Sequence, residues 1–396
     1  MMKRKIAIIT AGELPIPPVK GGAVENLIYN FAKTVGLNQD FEVDIYGIGE
    51  EKEKIPNVHM NYYTSKFYSN FIKISPRIRN KLGVNPYLSY VCKGLKKSVY
   101  DYVVVENRFS YLSDIRKNTN GKVCLHMHNS HLQPYTKEKE RALDNCDMII
   151  TVSEFVKREI VNNYPRTRAK KIVWHNGIDV DKFSNNVPDR KIQTIRDKYK
   201  IKSKDVVIAY TGRIIEEKGV FELIKAFQYV RKSINRECKL MLIGASWYSD
   251  ATKKTEYQKK VFDEAKKIES NIIFTGYIDN SILPEYLAAA DILVYPSLWQ
   301  EPFGLTIVEG MCTGKPVISL ANGGIPEIYG MCDLSTQKML VLTNQNSSNI
   351  VQLLAEKIML SIKDDSYSTV NRNQIETMKK YFSKERYYQR ALEIFE

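Results

Sequence analysis

A chain of 396 residues with 43% hydrophobic and 26% charged residues has the makeup of a folded globular protein, long enough to divide into two domains. It contains no low-complexity tract and no fixed-period repeat, which excludes disordered and solenoid classes. The net charge of +14 is uneven: residues 1–180 carry 28 Lys/Arg against 18 Asp/Glu, hence +10, and +4 remains for the rest.

The first apolar run, KIAIIT, stops at Thr10 and is too short for a signal-peptide core, so it predicts a β-strand. FEVDIYGI, DYVVVE, KVCLHMH, MIITVS and KIVWHNG follow as further short strands, with helical patterns such as AVENLIYNFAKTV and SEFVKREIVNNY between them. Strands alternating with helices predict βαβ units and a parallel sheet. Within this half, Asn57 to Tyr100 holds eight basic residues (Lys66, Lys73, Arg77, Arg79, Lys81, Lys93, Lys96, Lys97), no acidic one, and many tyrosines and phenylalanines. Such a segment suits an anionic partner, either membrane headgroups or a lipid-linked substrate. Nucleic acid is the competing reading, and a solvated face with structural tyrosines is the plain one.

A polar stretch over 181–204 predicts an interdomain linker between a first domain over 1–180 and a second over 205–380. The second half restarts the pattern with VVIAYTG, KLMLIGA, NIIFTGYI, DILVYPS and KPVISL as strands, the helix LPEYLAAA among those between them, and an amphipathic run over 381–396 that is expected to pack back on the first domain. No segment reaches the roughly 20 apolar residues of a spanning helix. The six cysteines form no CxxC pair, which fits a reducing compartment and neither a zinc site nor a disulfide framework. The protein is expected to be cytoplasmic or peripheral to a membrane.

Chemistry-bearing residues cluster after strand ends of the second half. In TGRIIEEKG, Arg213 and Lys218 place two cations at a strand-to-helix turn, suited to a diphosphate. In EPFGLTIVEG a helix is expected from Leu305, making the Phe303–Gly304–Leu305 backbone an anion site. Glu301 and Glu309 flank that site. Acceptor-only carboxylates would repel a phosphate there unless each turns toward hydroxyls, as of a sugar or a ribose.

This arrangement resembles the retaining glycosyltransferases of family four, over nearly the whole chain. Glu301 and Glu309, with seven residues between them, look like the family's glutamate pair, and Gly212, Arg213, Lys218 and Gly219 look like its TGR…KG element. PPVKGGAVE with Gly21 and Gly22 is similar to its glycine loop, while TVSE and HNGID also recur there. The resemblance implies the GT-B fold, two Rossmann-like doubly wound α/β domains facing a central cleft. It implies a nucleotide-sugar donor, UDP-linked or a dTDP-sugar, and a glycan or lipid-linked acceptor in cell-surface polysaccharide synthesis. It further implies Glu301 on the donor sugar, Glu309 on the ribose, Arg213 and Lys218 on the diphosphate, and Tyr277 near the base, although a packing role for Tyr277 fits as well. In LHMHNS, His128 is the choice for the family's active-site histidine and His126 the fallback. No metal, no cofactor and no nucleic acid are expected: Asp179-Val180-Asp181 has the spelling of a metal-binding aspartate pair but sits in the HNGID element. A nucleotide-sugar epimerase and a non-catalytic binding protein are the alternatives.

Overall fold

The computed structural model describes residues 3–19, 21–65, 85–184, 187–244, 255–342, 347–364 and 369–396. Two compact units divide the chain: Met1–Gly177 with Lys384–Glu396, and Ile178–Ser383.

The first unit has a seven-stranded, all-parallel sheet of β1 (Arg4–Ile9), β2 (Phe41–Gly47), β3 (Val58–Tyr62), β4 (Tyr102–Glu106), β5 (Lys122–Met127), β6 (Met148–Thr151) and β7 (Lys170–Val173). Their order is β3-β2-β1-β4-β5-β6-β7, a doubly wound α/β arrangement. Central strands read as continuous apolar runs because both faces are covered. Edge strand β3, VHMNY, is mostly half-exposed and carries polar residues, which is why its pattern did not predict a strand.

The helix Ala23–Gly36 turns Leu27, Ile28, Phe31, Ala32 and Val35 inward. There they meet the helix Lys384–Ile394, whose Tyr387, Tyr388, Ala391 and Ile394 are buried in the same core. Trp174, just past β7, stacks on Tyr387 at 4.1 Å between ring centres and donates its Nε1 hydrogen to the Tyr387 carbonyl at 3.0 Å. Phe31 meets both rings edge-on at 5.8 Å. Contacts of this kind contribute about 0.5–1.5 kcal/mol each beyond the area they bury.

The second unit repeats the plan with β8 (Val206–Thr211), β9 (Cys238–Ile243), β10 (Ile272–Gly276), β11 (Ile292–Tyr295), β12 (Val317–Leu320) and β13 (Leu340–Val341), in the order β10-β9-β8-β11-β12-β13. The two-residue β13 is too short to leave a periodic signal.

The stretch 181–204 is not a linker. It begins inside the helix Val180–Phe183, continues into the helix Asp189–Lys198, and belongs to the second unit. Its charge hides one anchoring row: Ile195 is buried, and the Arg196 guanidinium donates to the carbonyls of Ala289, Lys202 and Asp205 at 3.0, 3.1 and 2.8 Å. The Ala289 carbonyl ends the helix Leu283–Ala289, so Arg196 satisfies an acceptor that helix leaves open.

Of the basic segment, Lys66, Lys73, Arg77, Arg79 and Lys81, with Phe67, Tyr68 and Phe71, lie outside the described residues. Tyr87 and Tyr100 are buried core residues, not parts of an aromatic surface: the Tyr87 hydroxyl donates to the Tyr46 carbonyl at 2.8 Å and that of Tyr100 to Asp44 at 2.5 Å. Among the described residues no helix is long and apolar enough to cross a membrane.

Candidate functional site

Each sheet reverses its strand order once, between β1 and β4 and between β8 and β11. Open parallel sheets bind ligands beyond their carboxyl strand ends at such reversals.

In the second unit the reversal sets the loop after β8 beside the loop after β11. Lys218 closes a short 3-10 turn, Glu216–Lys218, and its ammonium pairs with the Oε1 oxygen of Glu301. Ser297 Oγ donates to the same oxygen at 2.7 Å. Gly219, at φ 67°, lets the turn approach so closely that a Cβ there would lie 2.0 Å from the Pro296 carbonyl oxygen. The Glu301 loop is tied to the segment after β12: Asn322 Nδ2 donates to the Ser297 carbonyl at 2.8 Å, and Gly324 N to that of Glu301 at 2.7 Å.

Gly212, Lys218, Ser297, Glu301 and Gly304 line one cavity of about 30 Å³, room for one or two waters. Its lining includes Tyr295, whose hydroxyl is buried without a hydrogen-bond partner among the described residues. Gly304, at φ 113°, opens the helix Leu305–Met311, a backbone angle that a side chain would strain. The first turn of a helix leaves N–H groups without intrahelical acceptors. The Phe303 side chain is buried against Phe382, 5.5 Å between ring centres, so only its backbone faces this role.

Other expected residues stand apart from that cavity. Arg213 is exposed and its guanidinium makes no hydrogen bond or ion pair among the described residues, while its carbonyl accepts from the Tyr210 hydroxyl at 2.7 Å. Tyr277 is 56% exposed. Glu309 is half-buried in the helix after Gly304, and its carboxylate has no hydrogen-bond partner among the described residues. Burial pushes it up to about 7, with the Lys182 ammonium opposing. Asp179 caps the helix Val180–Phe183 by accepting from Lys182 N at 3.3 Å, a structural role.

The first unit brings the two expected histidines together with a carboxylate that the sequence did not point to. Register pairs Glu106 at the end of β4 with His126 on β5. Glu106 Oε2 lies 3.2 Å from His126 Nδ1 and 2.7 Å from His128 Nε2. Burial alone would push the Glu106 carboxyl up, but the two histidines overcome it and hold it down at about 2. Glu25, in the first turn of the helix that follows Gly21 and Gly22, is pushed up by burial, with His128 opposing. The His126 ring stacks on Trp174 at 5.2 Å and is almost wholly buried. Glu106, His126 and His128 are metal-ligating types within 4.8 Å of one another, yet one carboxylate oxygen between two ring nitrogens is a hydrogen-bonding geometry. A second such group, Glu42, Asp44 and His59, already holds the Lys5 ammonium, 2.7 Å from Glu42 and 3.9 Å from Asp44.

Ser297 and Asn322 were missed because their roles depend on neighbouring loops; the one available signal was the place of Ser297 two residues past the end of β11. The Glu106 carboxylate carried no signal within a buried apolar run.

A family model described as glycosyltransferase family 4 matches residues 21–182, and one described as glycosyl transferases group 1 matches residues 191–379. Spore coat protein SA of Bacillus subtilis is 25% identical over 335 residues, 82% of each chain. Lipopolysaccharide 1,2-N-acetylglucosaminetransferase of Salmonella typhimurium is 28% identical over 329 residues, again 82% of each chain. Among solved structures, a glycosyltransferase from Rickettsia africae superposes with a TM-score of 0.76 at 21% identity, covering 100% of this chain and 98% of the other. An Anabaena protein, HepE, solved with UDP and glucose, gives 0.72 at 20% identity and 99% of each chain. At these identities the structures bear on the fold.

Proposed function

For a chain that belongs to the family four glycosyltransferases and has the GT-B fold, we propose a reaction that moves a sugar, with retention, from a nucleotide-sugar donor to a glycan or lipid-linked acceptor in cell-surface polysaccharide synthesis. One observation carries this reading: Lys218, Ser297 and Glu301 converge beside Gly212 and Gly304 at the reversal of the second sheet.

The roles follow from charge and donor count. An ammonium has three N–H donors, so Lys218 can keep Glu301 in place while reaching a phosphate oxygen. Arg213, exposed and unpaired, supplies a planar fork for the other phosphate. The backbone at Phe303, Gly304 and Leu305 adds neutral donors. Glu301 then accepts from sugar hydroxyls and Glu309 from the ribose, with Tyr277 beside the base and Gly21 and Gly22 at the glycine loop. Charge on the leaving diphosphate is stabilised electrostatically by these cations. His128, in the first unit, takes the part of the family's active-site histidine. UDP-sugars are the first donors to test and dTDP-rhamnose the second. A peripheral contact with an anionic leaflet, through the basic segment of the first unit, is part of the same reading, as is a cytoplasmic location.

The test is a thermal-shift screen of the purified protein against UDP-, GDP-, dTDP- and ADP-sugars, repeated with Glu309→Ala, followed by turnover of the donor that binds. One nucleotide series raises the melting temperature of the wild type and not of the variant, and Arg213→Ala slows turnover of that donor by about 100-fold. Silence across all four series would sink the proposal.

A further inference from the structure

The carboxyl ends of β4 and β5 hold more than a histidine. Asn107, in the left-handed region at φ 58°, donates its N–H to the His126 carbonyl at 2.8 Å and accepts from His128 N at 2.8 Å through its side chain. The backbone of His128 is thereby fixed to the end of β4. The ring is fixed by the preceding residue, Glu106, through the 2.7 Å bond to Nε2.

We infer that Glu106 is a positioning residue for the reaction: its Oε2 holds His128 with the Nε2–H turned inward and leaves the Nδ1 lone pair as the acceptor for a substrate hydroxyl. An ionised carboxylate only accepts, so both ring nitrogens that face Glu106 carry hydrogen. For His128 this decides the tautomer, because the orientation of one nitrogen sets the state of the other. His128 Nδ1 has no partner among the described residues. His126 differs: its remaining nitrogen, Nε2, is buried without a partner and its ring lies against Trp174, so it braces Glu106 and cannot reach a ligand. The pair thus divides into a brace and a presenter, which selects His128 over His126. The charged and titratable groups facing His128 are His126 on its own strand, Glu106 on β4 and Glu25 on the helix Ala23–Gly36. Burial and His126 push its pKa down, Glu106 and Glu25 oppose, and the neutral ring is the form that accepts a hydroxyl.

The inference rests on the transferase reading of this site, and the tests separate the two. On histidine-labelled protein, ring nitrogen shifts assigned with His128→Asn report the tautomer directly. The wild type shows His128 as the Nε2–H form alone, and Glu106→Gln shows a mixture. In donor turnover, Glu106→Gln lowers kcat by about 10- to 100-fold with KM for the donor within about threefold. The acid limb of its pH profile moves to lower pH, because the nearest anion favouring the charged ring is gone. Glu106→Gln in the His128→Asn background adds no further loss, as expected of a residue acting through another. A Nδ1–H tautomer in the wild type, losses that multiply in the double variant, or an unmoved acid limb would each overturn the inference. So would stoichiometric zinc on the purified protein that Glu106→Gln releases. If Glu106→Gln does not fold, the wild-type tautomer and Glu106→Asp decide. Should no donor turn over, the proposed function fails, while the nitrogen shifts still judge Glu106.

Discussion

Glu106 is buried and Glu309 half-buried, yet the less buried carboxylate is the one pushed up: Glu106 is held at about 2 and Glu309 is raised to about 7. Burial acts in the same direction on both. What separates them is the count of partners, two imidazoles at 2.7 and 3.2 Å against a single ammonium that makes no hydrogen bond to Glu309. In the first unit Glu106 has its donors in place before any ligand arrives. The second keeps an acceptor whose donors must come from outside, as a ribose would supply.

The sharpest way to break this comparison is to remove the satisfied carboxylate. Glu106→Leu strands two imidazole N–H donors that have lost their acceptor, and the first unit loses about 2–6 kcal/mol at pH 7. A urea melt followed by circular dichroism reads it. A loss below about 1 kcal/mol would mean that the cluster is not a stabilising network.

The unsatisfied carboxylate predicts the reverse sign. Its folded pKa of about 7 lies above the ordinary 4.5, so the protonated form is the one the fold favours. That stability is full below pH 4.5 and is lost as pH rises through about 7. Glu309→Gln, which mimics the protonated form, therefore comes close to the wild type at pH 4.5 and exceeds it by about 3 kcal/mol at pH 8. Melting curves at the two pH values check both the sign and the crossover.

A smaller effect belongs to the ligand. Only ionised Glu309 accepts from two hydroxyls, so nucleotide affinity is present above about pH 7 and falls below it. Between pH 8 and pH 6, Kd rises about tenfold, or about 1.4 kcal/mol, and in Glu309→Gln the dependence disappears. Titration calorimetry with the nucleotide series found in the screen measures this.

The two carboxylates also differ in how legible they were. Glu309 stands eight positions after Glu301, so spacing along one helix and its preceding loop drew attention to it. The meeting of Glu106 with His126 and His128 depends on the register of β4 against β5, about twenty residues apart in sequence, which no local pattern encodes. The doubly wound plan was readable because buried parallel strands are apolar throughout. The residues 181–204 were misread for the converse reason, since a helix anchored by Ile195 and the arginine beside it looks like solvent-facing chain. Tyr87 and Tyr100 misled similarly: a tyrosine in a basic stretch reads as surface until its hydroxyl finds a buried carbonyl or carboxylate.

The return of the helix Lys384–Ile394 to the first unit imposes an order on biosynthesis. Residues 178–383 form a contiguous unit and can fold as soon as they clear the ribosome. The first unit, although made earlier, cannot close its aromatic cluster around Phe31 and Trp174 until Tyr387, Tyr388 and Phe395 have been translated. Its apolar helix face stays open through the synthesis of about two hundred residues.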